Sequence, residues 1–152
     1  MQIIVNATFL INIIKADASM LETMNLATIN SVAMEVENEL GIKLDVEILK
    51  VESSNPHIPK NKKIFLSESD VHLINLSFKH RNSCALVTDD KLLRWIAKMN
   101  KIKCFTTPQF MAFLLKKEKI SKARCTSFLN LLKETYIRKK DIEKVLDLVK
   151  RW

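Results

Sequence analysis

The sequence predicts an α/β fold, a three-layer αβα arrangement with a central, mainly parallel sheet. Short apolar runs of strand length alternate along the chain with amphipathic runs of helical period. A length of 152 residues and an apolar content of 47% are enough for one domain with a sizeable core. No apolar run approaches the roughly 18 residues of a membrane span, so we expect no membrane association.

The first half of the chain contains the predicted strands and helices that open such a fold. In order, these are a strand at 2–5, a helix at about 8–18, a strand at 27–30, a helix at 31–40 and an irregular strand at 42–51. Ser31 is expected to cap the second helix and Gly41 to end it. The polar stretch SSNPHIPKNKK contains proline and is predicted to be a loop.

The second half begins with a helix for which Ser67 is the expected N-cap. After it we predict a strand at 84–87, a helix at 91–100, a strand at 102–105 and three helical stretches from Pro108 onward. No linker separates these stretches from the rest of the chain. We therefore expect one domain over 1–152, with a core of about 1–115 and a helical C-terminal extension of about 116–152.

Charge is distributed unevenly between the two halves. Residues 1–78 carry 6 Lys and Arg against 10 Asp and Glu, whereas residues 79–152 carry 19 against 7. A basic half beside an acidic half indicates a polyanion held near a group of carboxylates. The only glycine is Gly41, which excludes the glycine-rich phosphate loops of nucleotide-binding folds. Three widely spaced cysteines predict buried thiols in a reducing compartment, which favours a cytoplasmic protein.

Polar side chains follow the predicted strands at one edge of the sheet, because the carboxyl ends of parallel strands meet there. Asn6 follows the first strand, and Asp89 and Asp90 follow the strand CALV. Asp70 lies in the first turn of its helix, and Glu35 lies one turn into the helix after the second strand. Such carboxylates would repel one another without a cation, and oxygen ligands alone suit Mg²⁺ or Mn²⁺.

Each of these residues also has a structural interpretation. Asp70 at a helix N-terminus can simply favour the helix dipole, and Asp89 or Asp90 can cap the helix that follows. Glu35 can belong to a solvated helix face, and Asn6 can be a turn residue. The three histidines have no metal-ligand spacing. Spacing alone leaves these alternatives open.

Four short stretches carry a resemblance to a known family. They are VNATFLINII, INSVAMEVENEL, LSESDVHLINLS and LVTDDKLLRWIA, in this order and over about residues 1–115. Together they resemble the motifs of PIN-domain ribonucleases. The resemblance implies a metal-dependent ribonuclease with a three-layer αβα fold. Carried over by position, its metal-site residues are Asn6, Glu35, Asp70 and Asp90.

The same resemblance assigns supporting roles and leaves neighbours as alternatives. Thr8 becomes a supporting hydroxyl, and Thr88 shapes the turn after its strand. Asp90 is preferred to Asp89, which we keep as a second candidate, because the family places its acid two residues after the threonine. Glu35 is preferred by its spacing, and its neighbours on the same helix, Glu37 and Glu39, are the alternatives.

Asn6 departs from the family pattern, in which this position is almost always Asp. Asn keeps the size and one carbonyl oxygen but loses a negative charge, and a Mg²⁺ site prefers anionic oxygen. We therefore expect a catalytically crippled nuclease. Either the substitution was made to disable a toxic enzyme, which the intact acids favour, or the chain is a natural pseudo-enzyme.

The function implied by the resemblance is that of an endoribonuclease toxin of the VapC type. Its partners would be RNA, an antitoxin protein and a second copy of the chain in a homodimer. A standalone nuclease of RNA maturation and a non-catalytic RNA- or protein-binding module are the alternatives. Basic residues of the C-terminal region are candidates for phosphate contacts. They are Lys116, Lys117, Lys119, Lys122, Arg124, Arg138, Lys139 and Lys140.

Overall fold

A computed structural model describes residues 1–152 and contains one five-stranded sheet flanked by helices. Its strands are β1 (Gln2–Val5), β2 (Leu26–Ile29), β3 (Glu47–Leu49), β4 (Cys84–Val87) and β5 (Cys104–Phe105). They lie in the order β3-β2-β1-β4-β5, and every neighbouring pair is parallel. The prediction of an αβα fold is confirmed, with a sheet that is parallel throughout.

Eight α-helices connect and follow these strands. They are α1 (Ala7–Asp17), α2 (Asn30–Leu40), α3 (Lys60–Lys63), α4 (Glu68–Lys79), α5 (Lys91–Met99), α6 (Thr107–Lys116), α7 (Lys122–Leu131) and α8 (Lys139–Lys150). Two predicted helix ends are confirmed. The Ser67 hydroxyl accepts a hydrogen bond from the Asp70 N–H at 3.0 Å, and Gly41 ends α2 with φ of 63°. None of the helices has the length and apolar character that a membrane span requires.

Three details of the sequence interpretation are wrong. Asn30 begins α2 instead of ending β2, and the Ser31 hydroxyl lies 2.8 Å from the Ser69 hydroxyl instead of capping the helix. The predicted loop ends in the short helix α3, whose single turn is too short to show a period in the sequence. A 3-10 helix at Ala18–Thr23 follows α1, with Asp17 accepting a hydrogen bond from the Ser19 N–H.

The pairing of β1 with β4 fixes the geometry of the candidate site. Val5 pairs with Val87 at the last position of this parallel ladder. The residues that follow, Asn6 and Thr88, therefore leave the sheet side by side at its carboxyl edge. Both strands are apolar because helices cover both faces of the sheet.

The C-terminal helices share the core of the sheet. Phe128 of α7 and Ile142 and Val149 of α8 belong to the same hydrophobic cluster as Ile4 and Leu86 of the strands. α7 packs against α1, and α6, α7 and α8 pack on one another. This packing brings the start of α8 close to the carboxyl edge of the sheet.

Candidate active site

Asn6 is locked in place at the end of β1. It is 4% exposed and caps α1, where its Oδ1 atom accepts a hydrogen bond from the Phe9 N–H at 3.1 Å. Its Nδ2 atom donates to the Thr88 hydroxyl at 2.7 Å and lies 3.5 Å from the Thr8 hydroxyl. Both ends of the Asn6 amide therefore have partners within the protein.

Thr88 connects Asn6 to Asp90. The buried Thr88 hydroxyl accepts a second hydrogen bond from the Asp90 N–H at 3.1 Å. Asp90 is the N-cap of α5, and its Oδ1 atom accepts a hydrogen bond from the Leu93 N–H at 2.9 Å. The other carboxylate oxygen of Asp90 has no hydrogen-bond partner in the chain, and the side chain is exposed. Asp90 therefore offers one free anionic oxygen at this edge.

Asp89 has a different role from that of its neighbour. Its two carboxylate oxygens accept hydrogen bonds from the N–H and the hydroxyl of Thr107, at 2.8 Å and 2.5 Å. Thr107 is the first residue of α6 and is fully buried. Asp89 thus ties α6 to the end of β4, which leaves Asp90 as the acid with a free oxygen.

Asp70 is electrostatically coupled to Asp90. Burial of the Asp70 carboxyl group raises its pKa, and the negative charge of Asp90 raises it further, while the hydrogen bond with Ser67 acts in the opposite direction. Burial is the largest cause of the raised pKa, and the charge of Asp90 is a smaller one. The Asp70 carboxyl group therefore keeps its proton to a higher pH than a free aspartate would.

Glu35 lies apart from this pair. It is exposed on α2 and makes no hydrogen bond or ion pair. Glu37 accepts a hydrogen bond from the Leu44 N–H at 2.8 Å and so fixes the turn after α2, whereas Glu39 is exposed. No three or more His, Cys, Asp or Glu side chains come close enough together to hold a metal ion. The expected meeting of Glu35 with the two aspartates is therefore not seen.

Asp70 and Asp90 are the two carboxyl groups whose charges interact at this edge of the sheet. Mg²⁺ is usually held by one or two protein carboxylates and completes its coordination with water or phosphate oxygens. Asp90 keeps one oxygen without a hydrogen bond, and Asp70 is partly buried. Asn6 contributes no charge, and its Nδ2 atom is a donor that cannot ligate a metal.

A polar cavity of about 370 Å³ lies beside Asp90. Its wall includes Thr8, Asn12 and Arg94. Tyr136 and Arg138, which lie in the segment just before α8, also line it. A second cavity of about 510 Å³ shares Lys91, Arg94, Thr106, Arg138 and Asp141 with the first and extends to Lys98 and Lys144. The two cavities form one groove between α5 and α8 in which cations predominate.

Of the cations in this groove, only Arg138 was predicted from the sequence. Arg94 follows Asp90 by four residues, which places both on one face of α5, and this spacing is a readable signal. Lys98 continues the same face. Arg138 was predicted as a phosphate contact and does line the groove, where both nitrogens of its guanidinium fork pair with Asp141 at 3.0 Å and 3.1 Å.

Comparison of the chain with models of protein families, with curated proteins and with solved structures gives no match.

Proposed function

We propose that this chain has the site and scaffold of a metal-dependent endoribonuclease of the PIN type, in which Asn6 replaces a catalytic carboxylate. One observation carries the proposal. The Asn6 amide and the Asp90 N–H bind the same Thr88 hydroxyl, while Asp90 also acts on Asp70. Position 6 is therefore joined to an acidic pair at the carboxyl edge of a parallel sheet, where ligands of such folds bind.

The acidic pair would hold Mg²⁺ or Mn²⁺. When bound, such an ion lowers the pKa of its water ligand and offsets negative charge on a scissile phosphodiester. Asp70 and Asp90 supply the anionic oxygens, and the N-cap bond to Leu93 keeps the Asp90 carboxylate oriented. Asn6 presents an N–H to Thr88 where a carboxylate would accept the threonine hydroxyl, so the site has one negative charge fewer.

The basic groove supports a nucleic-acid substrate. Lys91 and Arg94 follow Asp90 directly on α5, and Arg138 lies opposite them. Arginine forks bind phosphate oxygens in pairs, which would align an RNA strand across Asp90. The charge excess of the second half of the chain agrees with a polyanionic partner.

The test is the substitution Asn6→Asp. We expect this variant to cleave RNA in the presence of Mg²⁺ or Mn²⁺ and to lose that activity in EDTA, with the unsubstituted chain as the inactive reference. The double variant Asn6→Asp, Asp90→Asn controls for contaminating nuclease. No cleavage by Asn6→Asp, together with no loss of growth when it is expressed, would argue against an enzyme of either kind.

Within this proposal, a VapC-like toxin in the cytoplasm is the favoured biological role, with an antitoxin and a second copy of the chain as partners. Growth arrest on expression of Asn6→Asp, relieved by a co-expressed binding protein, would favour the toxin over a maturation nuclease. A non-catalytic RNA-binding module is the second candidate. The neutral, hydrogen-bonded Asn6 and the lack of a metal-binding group that includes Glu35 favour it, and it predicts RNA binding that Asn6→Asp leaves non-productive.

A further inference from the structure

Asn12 stands out among the buried polar side chains. It is 2% exposed, lies on α1 one turn after Thr8, and makes no hydrogen bond within the chain. By contrast, Asn100 makes three side-chain hydrogen bonds, and the buried Thr28 and Thr107 hydroxyls are also bonded. The only fully buried polar side-chain atom without a hydrogen-bond partner is the Ser77 hydroxyl, so the Asn12 amide still reaches solvent although the residue as a whole is almost completely covered.

Asn12 reaches solvent through a cavity. It lines the cavity of about 370 Å³ that also contains Asp90. An amide presents one acceptor and two donors, which is the pattern needed to bind the edge of a nucleobase. The unpaired amide thus lies in the wall of a cavity of ligand size, next to the candidate catalytic edge.

Tyr136 adds a flat ring at the mouth of the same cavity. It is 89% exposed, the highest exposure among the large apolar and aromatic side chains. The segment that carries it is fixed, because the Thr135 hydroxyl donates to the Leu132 carbonyl at 2.6 Å and Ile137 is buried. The Lys15 ammonium lies 5.8 Å from the ring centroid.

An exposed aromatic ring beside cations is the arrangement with which proteins stack unpaired bases. Arg138 and Arg94 line the cavity between this ring and Asp90. A nucleotide placed there would have its base on Tyr136, its base edge at Asn12 and its phosphate at Arg94. The base and its edge meet side chains of matching chemistry, and the phosphate meets Arg94, because the guanidinium fork of Arg138 is already paired with Asp141.

We infer that this cavity is a subsite for one unpaired nucleotide of RNA, in which Tyr136 stacks the base and Asn12 reads its edge. The inference rests on the proposed function for its choice of ligand. It goes beyond that function because it assigns sequence preference to two residues that take no part in the chemistry.

The test is binding, measured without cleavage. Fluorescein-labelled ribohexamers of adenosine, cytidine or uridine are titrated in EDTA with the unsubstituted chain, and affinity is followed by anisotropy. Tyr136→Ala should weaken the tightest-binding hexamer by about fivefold or more, since stacking is worth about 1–3 kcal/mol per base. Tyr136→Phe, which keeps the ring, should stay within about twofold of the unsubstituted chain.

Asn12→Leu tests the reading of the base edge. It should reduce the differences in affinity among the three hexamers, while Asn130→Leu, an exposed site on α7, should leave them unchanged. Urea unfolding checks that Asn12→Leu is folded before its affinities are compared. A hexamer of abasic ribose phosphates should bind the unsubstituted chain and Tyr136→Ala equally.

Three results would overturn the subsite. These are no binding of any hexamer, equal binding by the unsubstituted chain, Tyr136→Ala and Asn12→Leu, or an abasic hexamer that binds as tightly as the others. Cleavage by Asn6→Asp with unchanged binding by both variants would remove the subsite and keep the nuclease. Base-dependent binding without cleavage would keep the subsite and remove the nuclease.

Discussion

The Asn6 side chain donates a 2.7 Å hydrogen bond to the hydroxyl of Thr88, across the ends of two paired central strands. The same hydroxyl accepts the Asp90 N–H. This three-residue connection joins the only neutral member of the predicted metal site to one of its acids. It also explains how the fold holds a buried amide at the end of this strand.

Replacing Thr88 by the nearly isosteric valine removes the shared acceptor. The Asn6 N–H and the Asp90 N–H both lose their partner, and a buried donor without a partner costs about 1–3 kcal/mol. We expect Thr88→Val to lower the free energy of unfolding by that amount in urea titrations. Thr126→Val, at a hydroxyl without a hydrogen bond, should change it by less than about 0.5 kcal/mol. Equal stability of the two variants would contradict the role of Thr88.

Removing the charge of Asp90 should lower the pKa of Asp70. Asp90→Asn keeps a side-chain oxygen for the N-cap bond to Leu93 but removes the negative charge that acts on Asp70. Carboxyl ¹³C NMR titrations of the parent and the variant measure the change. The Asp70 pKa should fall and still stay above the ordinary value for aspartate, because burial is the larger cause of its shift. Asp45→Asn, an exposed acid on the turn before β3, serves as the control.

The raised pKa of Asp70 also gives a direction to the pH dependence of stability. A carboxyl group whose pKa is higher in the folded than in the unfolded state contributes stability below its unfolded pKa. This contribution is lost as pH rises through the folded pKa. Asp70→Asn has no carboxyl group to titrate at this position and should not lose this stability. As pH rises from the unfolded to the folded pKa of Asp70, the urea midpoint of Asp70→Asn should therefore fall less than that of the parent. A midpoint that falls as steeply as the parent's would contradict the assignment.

The groove predicts opposite effects of two substitutions on RNA affinity. Arg94→Ala removes a cation from the groove and should weaken binding of a ribohexamer and reduce its dependence on salt. Asp141→Asn releases Arg138 from its ion pair and should strengthen binding. Lys60→Ala, on α3 and outside the groove, should have little effect. If Asp141→Asn instead weakened RNA binding, Asp141 would be shown to orient Arg138 for RNA and not to compete with RNA for it.

The local sequence was sufficient for the sheet and for most helices. Strand-length apolar runs, the cap at Ser67 and the stop at Gly41 are properties of a few neighbouring residues. Long-range contacts decided the rest. Ser31 binds Ser69 instead of its own helix, and Glu35 lies on the solvent side of α2, which a pattern of three alternating glutamates does not reveal.

The groove could be predicted only in part. Arg94 shares a helix face with Asp90, so its place near the acid follows from spacing. Tyr136 and Arg138 reach the same cavity because α8 packs on the core, and no local pattern indicates that packing. The unpaired state of Asn12 is likewise visible only once all its neighbours are placed.

Asn6→Asp should make the stability of the chain depend on a divalent cation. A carboxylate at position 6 can keep the N-cap bond to Phe9 and accept the Thr88 hydroxyl, so the fold tolerates it. It places a third negative charge near Asp90 and Asp70, which costs stability until a cation binds. The melting temperature of Asn6→Asp should lie below that of the parent in EDTA and rise with Mg²⁺ or Mn²⁺. If Mg²⁺ or Mn²⁺ raised the melting temperatures of Asn6→Asp and Asn6→Ala by the same amount, that result would argue against a metal site.

Cleavage of RNA by Asn6→Asp in Mn²⁺ is the most direct measurement of the central claim, that position 6 lacks the carboxylate of a nuclease site. A gel assay compares this variant with the unsubstituted chain and with Asn6→Asp carrying Asp90→Asn. The account predicts metal-dependent cleavage by Asn6→Asp alone. A folded Asn6→Asp variant that leaves RNA intact, with a melting temperature indifferent to Mn²⁺, would contradict it.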